Sequence, residues 1–360
     1  MSPEKLQFIK EIIQSANINF LFGSGASTPF LPLLGNIEKD INEAIENDDI
    51  DRQVDGYKVY LEKVMLPNIN IACNNFTKEK NWKWSWEEAW WIENTDAIED
   101  FQTVSHNYKS FLTTLTNIIL SRKTTILNKQ VNIFTTNIDI FLENTLEQLQ
   151  INYNDGFSGR MNPVFSLSNF KQSTFQRSLH FDHKSEIPVF NIVKLHWSLT
   201  WKYKPDKNGI LLSKDLNHIS RNLLSETGTS FVDKYKENIL VVNPENAKFS
   251  ETVLNMYYYE MLRSYSSELE KANSVLFVIG FSMDDLHIKE ITLRAAKSNP
   301  TLKIFIFVSR GKKQEKETAM QTEIHKNIEI IEPEESDRFS LDLVTKNIFQ
   351  KIILNSSTDA

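Results

Sequence analysis

Apolar residues fall along this chain in short dense runs that alternate with stretches of helical period. Ile18 to Phe22, Val131 to Phe134, Pro188 to Leu195, Val275 to Ile279, Lys303 to Val308 and Ile328 to Ile331 are rich in branched and aromatic side chains. Runs of that length and composition suit strands buried on both faces. Two more strands are expected, over Asn238 to Pro244 and over Ile151 to Phe157, the latter ending in a Gly turn. Between the runs, apolar positions recur every three or four residues. Leu6, Ile9, Ile12 and Ile13 follow Ser2-Pro3-Glu4, a capping Ser with Pro at the first helical position. Gly35 to about Arg122 is mostly helical, with Ile37, Ile41 and Ile45 on one face and Tyr108, Leu112, Leu115 and Ile119 on a later helix. A short helix is expected over Phe141 to Leu146, a long one from Ser250 to about Lys271, and a closing one from Ser340 to Leu354. Strands alternating with helices predict an α/β fold, a Rossmann-like doubly wound parallel sheet. The predicted core is residues 1–35 and 129–360, with 36–128 a helical insertion.

Composition narrows the function. The 360 residues are 41% hydrophobic, enough for a large core. A net charge of −7 supplies no basic field for direct nucleic-acid binding. Cys73 is the one cysteine, so neither an internal disulfide nor a zinc site of several thiolates can form, and no metal is expected. No basic segment followed by an apolar one opens the chain, and no apolar run reaches the ~20 residues of a membrane span. The expectation is a cytoplasmic protein with no membrane contact. Five of the seven tryptophans, Trp82, Trp84, Trp86, Trp90 and Trp91, crowd one stretch in which Ser85-Trp86-Glu87-Glu88 has the form of a capping box. That stretch reads as a helix-packing surface, an oligomer contact or a lid. Trp201 and the polar segment Pro205 to Gly228 read as a connector.

Candidate chemistry gathers where the strands end. Val131 to Phe134 runs into Thr136-Asn137-Ile138-Asp139, a polar tip at what would be a carboxyl edge, where open α/β sheets bind ligands. By itself Asn-x-Asp is also the pattern of a turn or a cap. Gly23-Ser24-Gly25-Ala26-Ser27 follows the first strand, and small residues there let main-chain N–H groups approach a phosphate, although Gly-x-Gly also makes ordinary turns. His196 ends the strand that begins at Pro188, a place where a lone His is usually structural. Gly280-Phe281-Ser282 ends the strand from Val275, and Asp284 and Asp285 read mainly as helix caps.

Taken together and in this order, these stretches resemble the sirtuin family. In that family a Gly-Ala-Gly-Ala-Ser loop holds the NAD diphosphate, a Gln-Asn-Ile-Asp strand end lies by the nicotinamide ribose, and a Leu-His-Gly strand carries the catalytic His. The resemblance implies NAD+ as substrate. It implies Asn137, Asp139 and His196 as catalytic residues. It also implies Gly23, Ser24, Gly25, Ala26, Ser27, Thr136, Ile138, Gly280 and Ser282 as NAD-binding residues. Asp285-x-His287 matches a recurrent bacterial form of the last motif. Three departures shape the reading. The four-Cys zinc module has no counterpart, Trp197 stands where the family has Gly, where it would crowd the acyl-lysine channel, and Thr136 replaces the Gln. These argue against lysine deacylation and fit the zinc-free sirtuin-like NADases of bacterial anti-phage defence.

The implied function is an NAD+ glycohydrolase effector that depletes NAD during infection. Its implied partners are further copies of itself, in a large homo-oligomer, and a HerA-like hexameric ATPase. Two other readings stay open: a non-catalytic sensor or scaffold that binds NAD or ADP-ribose, and an NAD-dependent deacylase or ADP-ribosyltransferase that needs an acceptor.

Overall fold

Among the described residues seven strands form one parallel sheet: β1 (Asn17–Phe22), β2 (Gln130–Thr135), β3 (Tyr153–Asn154), β4 (Val189–Lys194), β5 (Ser274–Ile279), β6 (Lys303–Phe307) and β7 (Ile328–Ile331). Their order is β7-β6-β5-β1-β2-β4-β3. The computed structural model describes residues 1–33, 35–67, 95–122, 126–180, 182–203, 209–212, 221–238, 256–334 and 336–353. The Trp82 to Trp91 cluster with its capping box, Cys73, the Ser250 cap and all but Asn238 of the strand expected over Asn238 to Pro244 lie outside the described residues.

Among the described residues ten α-helices accompany the sheet: α1 (Pro3–Ser15), α2 (Gly35–Glu46), α3 (Ile50–Tyr60), α4 (Thr95–Leu120), α5 (Phe141–Gln148), α6 (Gly228–Asn238), α7 (Met256–Leu269), α8 (Leu286–Ser298), α9 (Lys313–Ala319) and α10 (Leu341–Val344). Side chains alternate across a strand, so one run feeds two layers. Ile18, Phe20 and Phe22 of β1, with Val275, Phe277 and Ile279 of β5, pack on apolar residues of α1, α4, α5 and α10. Leu21, Leu276 and Val278 face the other way, onto α7 and α8. This is a doubly wound sheet, and the crowded apolar runs exist because both faces are covered. Ser2 caps α1 by accepting the Lys5 N–H, with Pro3 at its start.

The stretch 36–128 divides between two clusters. Val104, Tyr108, Phe111, Leu112 and Leu115 of α4 belong to the first layer of the core. Ile41 of α2 and Val54 and Tyr57 of α3 pack with Phe231 and Tyr235 of α6, and with Ile138 and Leu199 from the loops after β2 and β4. A helical group thus rests on the loops at the carboxyl edge.

Three local expectations change. Ile151 to Phe157 is not one strand: β3 stops at Asn154 and the chain turns. Asn154 accepts the Gly156 N–H (2.9 Å) and Asp155 the Phe157 N–H (3.1 Å). These side-chain turns take the donors that strand pairing would need. Phe157–Ser158 instead starts a four-stranded antiparallel sheet with Val164–Phe165, Ile210–Leu212 and Trp201–Tyr203. Trp201 and Ile210, expected in or beside a connector, are buried in that small sheet. Ser340 caps the closing helix, which follows it as expected, but α10 passes into a π-helical turn at Thr345–Gln350, where the Thr345 hydroxyl donates to Leu341 O (2.7 Å). Among the described residues no helix is long and apolar enough to cross a membrane.

Candidate functional site

Register places the four motifs side by side. Phe22 lies opposite Ile279 on one flank and Thr135 on the other, and Thr135 lies opposite Lys194. Residues 23, 136, 195 and 280 therefore leave the sheet at one level, on both sides of β1. The chain runs outward from β1 to β2 and later returns to β1's other flank as β5. A crevice where strand order reverses is the usual ligand position in such sheets.

The glycines hold two loops together. Gly25 N–H donates to Gly280 O (2.9 Å), Gly23 N–H to Ile279 O (3.1 Å) and Ala26 N–H to Gly23 O (3.0 Å). A Cβ on Gly280 would sit 2.3 Å from Ala26 N, and one on Gly23 would sit 2.6 Å from Gly280 O. Gly280 also has φ +66, a conformation that favours glycine. Ser24–Ser27 forms a 3₁₀ turn rather than the start of a long helix.

Ser27, fully buried, is the centre of a polar network. Its hydroxyl donates to Asp139 Oδ2 at 2.7 Å. A hydroxyl has one proton, so the Tyr108 hydroxyl, 3.0 Å away, must donate to Ser27 Oγ. Asn137 Nδ2 donates to the same oxygen (3.4 Å) and to Gly23 O (3.0 Å). None of the described residues bonds to Asn137 Oδ1. Asp139, 3% exposed, uses Oδ1 to accept the Phe141 N–H (3.2 Å) at the start of α5. Burial and the Asp139 carboxylate push the Tyr108 phenol well above its ordinary range, so it stays neutral.

Lys194 fixes the tip from the other side. Its ammonium, 2% exposed, donates to the carbonyls of Asp139 and of Asn137 and pairs with Glu143 Oε1 of α5 at 3.1 Å. Burial pushes the Glu143 carboxyl above its ordinary range, and Lys194 offsets part of that rise.

His196 is brought to the same edge but meets a different partner. Its Nε2 lies 3.3 Å from Asp285 Oδ2, and Asp285 Oδ1 lies 3.0 Å from His287 Nδ1. Asp285 also caps α8 by accepting the His287 and Ile288 N–H groups, as the sequence suggested. No bond joins His196 to Asn137 or Asp139 among the described residues. Trp197 has φ +69, the conformation glycine would supply, and its ring is buried against Trp201 and Tyr258. Thr136 donates its N–H to Phe22 O (3.1 Å), Ile138 faces the helical group over the edge, and Ser282 is exposed.

Lys194, Glu143, Tyr108 and the second role of Asp285 were missed from sequence. A lone Lys inside Val189-Phe190-Asn191-Ile192-Val193-Lys194-Leu195 was the available signal, because a charge within a buried run needs a partner. Nothing local announced Tyr108, which reaches the site from a remote helix.

A family model described as SIR2-like domain matches residues 131–331. A solved structure described as "Structural Basis for the Mechanism and Regulation of Sir2 Enzymes" is similar at 11% identity, over 98% of this chain and 99% of that chain, with a TM-score of 0.41. No curated protein matches the chain.

Proposed function

The chain belongs to the SIR2-like domain family, and from that membership, with its NAD-related chemistry, we propose that the protein is an NAD+ glycohydrolase. It cleaves NAD+ to nicotinamide and ADP-ribose and serves anti-phage defence by depleting NAD. The observation that carries the reading is the convergence of Gly23 to Ser27, Asn137, Asp139 and His196 at the ends of three adjacent, register-matched strands.

The bond to break joins the nicotinamide nitrogen to the ribose. Nicotinamide leaves neutral, the ribose passes through an oxocarbenium-like state, water adds, and one proton is released. Asn137 is held by its amide nitrogen, so its Oδ1 is the end presented to a ribose hydroxyl or the attacking water. His196 takes the proton, directly or through a ribose hydroxyl. Asp139 acts through the tip it fixes, aligning Ile138 toward the carboxamide. Because the Gly23, Gly25 and Ala26 N–H groups are engaged within the protein, the Ser24 and Ser282 hydroxyls are the contribution of those loops to the diphosphate. Such groups act by positioning and electrostatics. The partners under this reading are further copies of the chain and a HerA-like hexameric ATPase.

The test is chromatography of NAD+ incubated with the protein, alone and with such an ATPase. His196→Ala and Asn137→Ala should each lower nicotinamide release by about 10²- to 10⁴-fold. Full cleavage by both variants would overturn the assignment.

A further inference from the structure

Asp285 sits at a junction that the cleavage chemistry above does not use. Its carboxylate receives the His287 N–H (3.1 Å) and the Ile288 N–H (3.4 Å), faces His287 Nδ1 with one oxygen and faces His196 Nε2 with the other. All three side chains are largely shielded: His196 is 16%, Asp285 11% and His287 19% exposed. Asp285 follows β5 and His196 follows β4, two strands that β1 and β2 separate in the sheet. Their contact arches over the ends of β1 and β2, where Ser27 and Asn137 lie.

An ionised carboxylate only accepts hydrogen bonds. A lone pair on His196 Nε2 at 3.3 Å from Asp285 Oδ2 would be repelled, whereas an N–H there is attracted. Neutral His196 therefore keeps its proton on Nε2 and its lone pair on Nδ1. The helix N–H groups hold the carboxylate in place, so the direction of the imidazole is set by the backbone of α8.

We propose that Asp285 is a positioning residue for His196: it fixes the Nε2–H tautomer and makes Nδ1 the atom that accepts the proton released in NAD+ cleavage. The inference rests on reading His196 as the base of that reaction. His287 steadies Asp285 from its other oxygen.

Asp285→Asn isolates the effect. Asn caps a helix as well as Asp does, and its oxygen can still accept the His287 and Ile288 N–H groups. Its amide nitrogen is a donor, so facing His196 it selects the opposite tautomer. The expected result is an unchanged thermal midpoint, a kcat for NAD+ lowered about 10²- to 10⁴-fold, and a KM within about threefold. Asp285→Ser, which keeps a cap but offers His196 no carboxylate, should lose kcat as well. Nitrogen NMR of histidine-labelled protein reads the tautomer without turnover: Nε2–H in the parent and Nδ1–H in Asp285→Asn. Full kcat in both Asp285 variants while His196→Ala is inactive overturns the inference and leaves the NAD+ reading standing. An unchanged His196 tautomer in Asp285→Asn also overturns it. Full activity in His196→Ala overturns the reading, and the inference with it.

Discussion

A single missing carbon decides the geometry at Gly280. With φ +66 and Ala26 N at 2.3 Å from any Cβ, alanine there must both adopt a left-handed backbone and push a loop aside. The conformation alone costs roughly 1–2 kcal/mol. Gly280→Ala should lower stability by at least about 2 kcal/mol in chemical denaturation, a loss typical of strained backbone combined with overpacking. Here the sequence was legible in part. Gly23-Ser24-Gly25 stood out as small residues after a strand, but the phosphate argument for them is not the one the structure supplies: the space each glycine leaves is used by the backbone of the other loop. The opposite case is Trp197, where the largest side chain takes a glycine-like conformation. Its burial against Trp201 and Tyr258 offsets that strain, and nothing in the local sequence shows such a trade.

At the level of elements, β4 and α5 are tied together through Lys194. Removing the ammonium takes from Glu143 its buried counter-charge and from the Asn137 and Asp139 carbonyls the donor that Lys194 supplies. Lys194→Met should lower stability by about 3–5 kcal/mol. The pH dependence has a definite sign. Glu143 binds its proton more tightly in the folded chain than in the unfolded one. Its contribution to stability therefore falls as pH rises from the ordinary carboxylate range through the raised folded value. Without Lys194 that value rises further, so the deficit of Lys194→Met should shrink as pH is lowered. Urea unfolding of parent and variant across the acidic range checks it; a deficit independent of pH counts against the pairing. The strands β1, β2, β4, β5, β6 and β7 were readable from their apolar runs, because burial on both faces demands such runs. β3 was not separable from the turn after it, since Asn154 and Asp155 redirect the chain with side-chain bonds that periodicity does not register.

For the molecule as a whole, one layer of the core is joined across the sheet by stacked and edge-on aromatic rings. Phe277 of β5 packs on Phe20 (5.3 Å between ring centres), Phe305 (5.4 Å) and Phe349 (5.4 Å), joining the sheet to the end of the chain. Phe277→Ala should cost about 3–5 kcal/mol and shift the unfolding midpoint without changing the far-ultraviolet signal of the native state. Alternating strands and helices told the fold class. The strand order, the small antiparallel sheet and the reach of Tyr108 depend on contacts between distant parts of the chain, which no local pattern encodes. The pairing of Asn17 with Ser274 has a consequence in time. At translation speeds of about 5–20 residues per second, the ribosome needs on the order of ten to fifty seconds to make the chain between them. Until then β1 lacks a flank, and the loop after Phe22 lacks Gly280. A nascent or truncated chain that ends before β5 cannot assemble the crevice, so whatever this edge does to its ligand is withheld until β5 and Gly280 have been made.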